Sequence, residues 1–150
     1  MNAIIENLLT RRSTRAFLQK EIPDNELNEI LQAAIYAPSG MGKQTWKFTV
    51  LCNQEKIQQL AELIGRKLGR KGYDMYRPQV LIIPSNQKEN PHGMEDNACA
   101  LENIFLAAHS FGIGSVWINQ LRTLCDDPEV RALLDEFEIP SDHVLSLIHI

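Results

Sequence analysis

Two short segments of this 150-residue chain concentrate groups suited to holding an anionic, flat molecule. Residues 11–15 read Arg-Arg-Ser-Thr-Arg, which puts three guanidiniums and two hydroxyls within five positions. A guanidinium offers a planar fork of charged donors that matches a phosphate, and a hydroxyl adds a neutral donor. The like charges repel one another, and a bound anion would relieve that repulsion. By residue type alone, a solvated basic turn is an equal alternative.

The second segment, residues 37–46, reads Ala-Pro-Ser-Gly-Met-Gly-Lys-Gln-Thr-Trp. Small residues at Ser39, Gly40 and Gly42 let a flat ring approach the backbone closely. Gln44 carries both a donor and an acceptor, as the edge of a pyrimidine or isoalloxazine ring requires. A loop with two glycines is also read simply as a loop. The chain has neither a G-x-G-x-x-G fingerprint nor a G-x-x-x-x-G-K-[ST] loop, so the usual dinucleotide and nucleoside-triphosphate readings lack support.

Other chemistries are excluded by composition. Fifteen basic and nineteen acidic side chains give a net charge of −4, which argues against a nucleic-acid binder. Cys52, Cys99 and Cys125 are widely spaced, and with His92, His109, His143 and His149 they complete no metal pattern. The cysteines read as buried small hydrophobes in a reducing cytoplasm. There is no basic-then-apolar leader and no apolar run of about 18 residues, so neither secretion nor membrane insertion is expected.

The elements that must carry the two segments follow from periodicity. Residues 3–9 form a short helix ending at Arg11 and Arg12. Asp24 is expected to cap a second helix, whose Leu27, Ile30, Leu31, Ala34 and Ile35 share one face and which Pro38 ends. Residues 46–52 alternate as a strand, Ile57 to Leu68 recur at helical spacing, and residues 80–83 form a buried strand followed by a polar loop over 84–95. An apolar helix spans 97–111 with Gly112 as its cap, a strand covers 115–118, and Asp127-Pro128 opens a last helix. Irregular alternation of few, short strands with helices indicates an α+β domain: a mixed sheet flanked by helices. Arg66, Lys67, Arg70 and Lys71 read as a solvated basic helix end, His109 as a satisfied interface residue, and Trp46 and Trp117 as core or pocket wall.

Taken in order, the two segments and residues 100–118 resemble the nitroreductase family of FMN-dependent oxidoreductases. The first is similar to the family's R-R-S-x-R-x-F opening, the second to its A-P-S-x-x-N-x-Q-P-W-x-F segment, and the third to its central helix and following strand. The resemblance covers most of residues 4–144. It implies that Arg11, Arg12, Ser13 and Arg15 hold the FMN phosphate and the pyrimidine side of the ring. Pro38, Ser39, Gly40, Gly42 and Gln44 match the segment that packs over flavin, often from the partner subunit. Ile118, Asn119 and Gln120 fall where backbone approaches flavin N5 and O4. Gly42 stands where Asn is usual, and Thr45 where Pro is usual.

The resemblance further implies a cytoplasmic homodimer with FMN at its interface. Hydride would pass from NADH or NADPH through flavin N5 to a nitroaromatic, quinone or similar electron-poor acceptor by a ping-pong cycle. No metal, nucleic acid or membrane would take part. Arg15 would support the anionic flavin, with no protein nucleophile or acid. The alternative from another class is a non-catalytic flavin-binding module or an inactive truncated fragment.

The last six residues, Leu-Ser-Leu-Ile-His-Ile, are what one reading frame of a common transposase-based sequencing adapter encodes. They are expected to be foreign, so that residues 1–144 are the domain and the family's final strand and C-terminal arm are missing. The tail's alternation, with Leu145, Leu147 and His149 opposite Ser146, Ile148 and Ile150, can still imitate a strand.

Overall fold

The computed structural model describes the backbone of residues 1–150 and every side chain except those of 147–149. Six helices surround a five-stranded sheet: α1 Ala3–Thr10, α2 Asp24–Ile35, α3 Gln54–Lys67, α4 Gly93–Ser110, α5 Leu121–Leu124 and α6 Pro128–Glu136. The strands are β1 Trp46–Leu51, β2 Leu81–Gln87, β3 Val116–Ile118, β4 His143–Leu145 and β5 Leu147–His149. Their order is β1-β2-β5-β3, with β4 pairing alongside β2, and every named pairing is antiparallel.

Alternation along β2 explains the three layers. Leu81 and Ile83 face a core built with α3, α5 and α6, from Ile57, Leu60, Ile64, Leu121, Val130 and Leu134. Val80 and Ile82 face the opposite core, where α2 and α4 contribute Ile30, Ala34, Leu101 and Ile104. Because both faces are covered, the strand reads as a continuous apolar run. Pro84 lies within β2, opposite Phe48. Its carbonyl accepts from Ser146 N at 2.9 Å, but it has no N–H to return. That single-sided rung coincides with the break between β4 and β5.

Several boundaries differ from the periodic reading. β2 runs on to Gln87, because its polar end pairs with both β1 and β4. α4 begins at Gly93 rather than 97, and a Cβ at Gly93 would lie 3.2 Å from Asn86. Pro23, not Asp24, is the cap position of α2, and Asp24 is its first helical residue. The tail's backbone forms β5, and Ile150 exchanges two backbone hydrogen bonds with Val80. The expected alternation at 147–149 concerns side chains outside the described residues. Cys52 and Cys99 are exposed, and Cys125 alone of the three is buried. Arg66 and Lys67 are paired with acidic residues of the α6 entry instead of being merely solvated. Trp46 packs against Phe48 with ring centroids 5.7 Å apart, whereas Trp117 is 45% exposed.

Candidate functional site

Residues 11–15 leave α1 beside the C-terminal end of α4 and the start of β3. Thr14 N donates to Ser115 O at 2.9 Å, and Ser13 forms a parallel bridge with Ser115. This close approach requires Gly114, since a Cβ there would lie 2.7 Å from Thr14 Oγ1. Arg11 sits over the Phe105 ring, 5.5 Å from its centroid. Arg12 turns back, donating from Nη1 to the carbonyls of Leu9 and Arg11, each at 2.9 Å, and so closes the end of α1. The Arg15 side chain is exposed and has no hydrogen bond or ion pair among the described residues. Thr10 Oγ1 lies 2.9 Å from His109 Nε2, which fastens α1 to α4.

The glycine-bearing loop is built at the other end of α4. Ser39 Oγ donates to Asp96 Oδ2 at 2.8 Å, and Gly40 N donates to Asp96 Oδ1 at 2.8 Å. Gln44 N in turn donates to Ser39 Oγ at 2.9 Å. Met41, Gly42 and Gln44 hold φ of 57°, 64° and 49°, the left-handed region. Nothing lies within 4 Å of where a Cβ of Gly42 would be. The departure at this position becomes intelligible: Gly and Asn are the residues most tolerant of that backbone. Gly40 packs against His92, where a Cβ would approach to 2.7 Å. Pro38 and Gln44 are exposed.

The far side of the loop is tied down as well. Thr45 Oγ1 donates to Asn86 Oδ1 at 2.6 Å and accepts from Asn90 Nδ2 at 2.7 Å. Asn86 Nδ2 reaches Asn97 Oδ1 at 3.3 Å, and both residues are fully buried. Thr45 therefore ties the end of the loop to Asn86 of β2 and to Asn90 just before α4. Asp96, Asn86, Asn90 and His92 are absent from the motif reading. Asp96, Asn86 and Asn90 lie 41 to 57 residues from their hydrogen-bond partners in the loop or at Thr45, and His92 meets Gly40 by packing alone, so no local signal marks them.

The third segment closes β3. Ile118 is buried in the core, Asn119 is exposed, and Gln120 Oε1 is buried with no hydrogen-bond partner among the described residues. Near the same end of the sheet, His143 lies 2.9 Å from Ser85 Oγ, and burial pushes its imidazole below the ordinary range. A cleft of about 500 Å³ runs beside the first segment, lined by Thr14, Phe17, Ile22, Phe111 and Gly114. No residue of the glycine-bearing loop lines it. Within one chain, then, the first and second segments stand at opposite ends of α4. Their anchors, His109 and Asp96, are separated by about 20 Å along the helix at 1.5 Å per residue.

Among the described residues, no helix is long and apolar enough to cross a membrane, and no group of His, Cys, Asp or Glu could hold a metal ion. Comparison with known proteins gives a consistent result. The family model for the nitroreductase family matches residues 8–150. A crystal structure of a nitroreductase with bound FMN from Bacteroides fragilis NCTC 9343 superposes with a TM-score of 0.95 at 43% identity, covering 99% of this chain and 87% of that one. An FMN-dependent nitroreductase from Clostridium difficile R20291 gives a TM-score of 0.81 at 31% identity, covering 97% and 84% of the two chains. An FMN reductase (NADPH) of Bacillus subtilis strain 168 is 27% identical over 164 residues, 98% of this chain and 64% of that relative.

Proposed function

The chain belongs to the nitroreductase family, and from that premise we propose that it is an FMN-dependent NAD(P)H oxidoreductase acting as a homodimer. The observation that carries the site assignment is the division of labour along α4. A cationic turn with unengaged donors stands at one end, and a glycine-bearing loop stands at the other. A compact site using both needs a second chain whose α4 runs the opposite way, bringing its loop to the first chain's arginines.

The apolar surface supports that arrangement. α1 has no buried residue and exposes Ile4, Ile5, Leu8 and Leu9 by 71%, 43%, 45% and 59%. An eight-residue helix is marginal alone, so a covered apolar face would stabilise it. Continuous apolar patches of this kind mark association surfaces.

The residues present fit FMN. Arg11 and Ser13 would hold the phosphate by charge-assisted and neutral donors, with Arg12 lending charge while it closes α1. The partner's Pro38, Ser39, Gly40, Gly42 and Gln44 would cover the ring, Gly42 through its backbone alone. The unpartnered Gln120 Oε1, with Ile118 and Asn119 beside it, supplies an acceptor of the kind a ring N–H requires. When bound, FMN would supply the redox chemistry, hydride transfer between NADH or NADPH and a nitroaromatic, quinone or similar acceptor in ping-pong order. Arg15, whose guanidinium is exposed and unengaged among the described residues, would offset negative charge on the bound ring. No cysteine or histidine is needed for proton transfer, which solvent can supply.

Recording the visible spectrum of the purified protein, then adding NADH or NADPH without air, tests this directly. A yellow protein that bleaches is expected. A protein that stays colourless in the presence of added FMN would refute the proposal, and a yellow one that does not bleach would reduce it to a flavin-binding module.

A further inference from the structure

We propose that Asp96 is a positioning residue: its buried carboxylate sets the shape of loop 39–44 and thereby that loop's hold on FMN. The proposal rests on the flavin reading above. Asp96 is only 3% exposed and enters no salt bridge among the described residues. Burying a carboxylate is strongly unfavourable unless hydrogen bonds compensate. Here both oxygens are spent on the loop, Oδ2 on the Ser39 hydroxyl and Oδ1 on Gly40 N, each at 2.8 Å. The first turn of α4 adds a favourable dipole.

The direction of the hydrogen bonds extends the control further. A hydroxyl has one proton, and giving it to Asp96 turns the lone pairs of Ser39 toward Gln44 N, 2.9 Å away. Asp96 thus fixes the backbone at Gln44 through Ser39. That backbone is costly to hold, because Met41 and Gln44 are non-glycine residues in the left-handed region, where Cβ crowds the following carbonyl. With Thr45 already tied to Asn86 and Asn90, releasing Asp96 would free the loop at its N-terminal end only. In the dimer, the carboxylate of one subunit would act on the flavin held by the other's arginines.

The test compares wild type, Asp96→Ala and Asp96→Asn by hydrogen exchange of residues 39–45 in the apoprotein, by FMN titration and by the flavin's midpoint potential. Thermal unfolding of the apoprotein serves as the fold control. Asp96→Ala should raise exchange in the loop at least tenfold, weaken FMN binding about tenfold and shift the potential. Asp96→Asn keeps an acceptor for Gly40 N and should recover most of the affinity. If Asp96→Ala fails to fold, Ser39→Ala, which cuts the relay to Gln44, should show the same changes at about threefold. Wild-type exchange and FMN affinity in a folded Asp96→Ala would overturn the proposal. So would losses in both Asp96 variants that merely track the thermal midpoint. A wild type that takes up no FMN overturns the flavin reading instead, and loop exchange still decides whether Asp96 shapes the loop.

Discussion

Replacing Gly114 by Ala should damage cofactor binding without touching any proposed contact. A Cβ at 114 would lie 2.7 Å from Thr14 Oγ1 and 2.8 Å from Thr14 Cβ and Cγ2. Ordinary carbon–carbon contact is about 3.5–4.0 Å, so the segments must part by roughly 1 Å. A rotamer change cannot absorb this, because Thr14 Cβ is itself one of the atoms struck. The displacement therefore passes into the backbone, where Thr14 N holds Ser115 O at 2.9 Å and Ser13 bridges Ser115. Overpacking of this kind costs about 1–3 kcal/mol. At about 2–4 °C per kcal/mol in a domain of this size, the thermal midpoint should fall by about 2–12 °C. Ser13 and Arg15 move with Thr14, and a misplacement on the order of 1 Å can cost about a hundredfold in a positioned site.

FMN titration by fluorescence quenching, alongside thermal unfolding of the apoprotein, reads both effects. Adding Thr14→Gly removes the three atoms nearest to the new Cβ, so the double variant should bind FMN better than Gly114→Ala alone. A Gly114→Ala protein with wild-type midpoint and affinity would refute the reasoning. A double variant no better than the single one would refute it equally.

Substituting Arg11 and Arg15 together by Ala should abolish FMN retention through gel filtration, whereas Arg70→Ala, beside Tyr73 and distant in sequence, should leave it intact. Leu8→Asp with Leu9→Asp should yield a colourless monomer in sedimentation, since both side chains lie on the open face of α1. Gly42→Asn meets open space and a tolerated φ of 64°; one added hydrogen bond of about 0.5–1.5 kcal/mol should tighten FMN binding about twofold to tenfold. Burial lowers the His143 pKa, with Asp142 opposing and Lys47 reinforcing that shift. The unfolded chain then takes up the proton first, so this contribution is complete above about pH 6.5 and is lost as pH falls through the folded pKa. His143→Gln should flatten the midpoint's decline over that window in thermal scans.

Where the sequence was legible, a local period or a chemical oddity made it so. The stripe of Leu27, Ile30 and Ala34 marks α2, and Leu101, Ile104 and Ala108 mark α4, because each packs one face against the other core layer. The three arginines stand out by charge. What could not be read is non-local. Asp96 looks like any acidic residue in a first helical turn, and only the fold brings it to Ser39. Arg12 is indistinguishable in type from Arg11 and Arg15, yet it bends back onto α1. α5 is too short for periodicity, and β4 and β5 are three residues each, defined by their neighbours more than by their own pattern.

The position of β5 bears on how the molecule acquires its shape. Among the described pairings, β3 meets the rest of the sheet through β5, which is the last strand in chain order. The β1–β2 pair can form early, but β3 waits for a segment some thirty positions downstream. Closure thus depends on contacts of long sequence separation, which slow folding. Until then β2 presents an open edge to other chains, the exposure that favours aggregation during synthesis. Partial chains ending before 147 should therefore rely on chaperones far more than chains that carry β5.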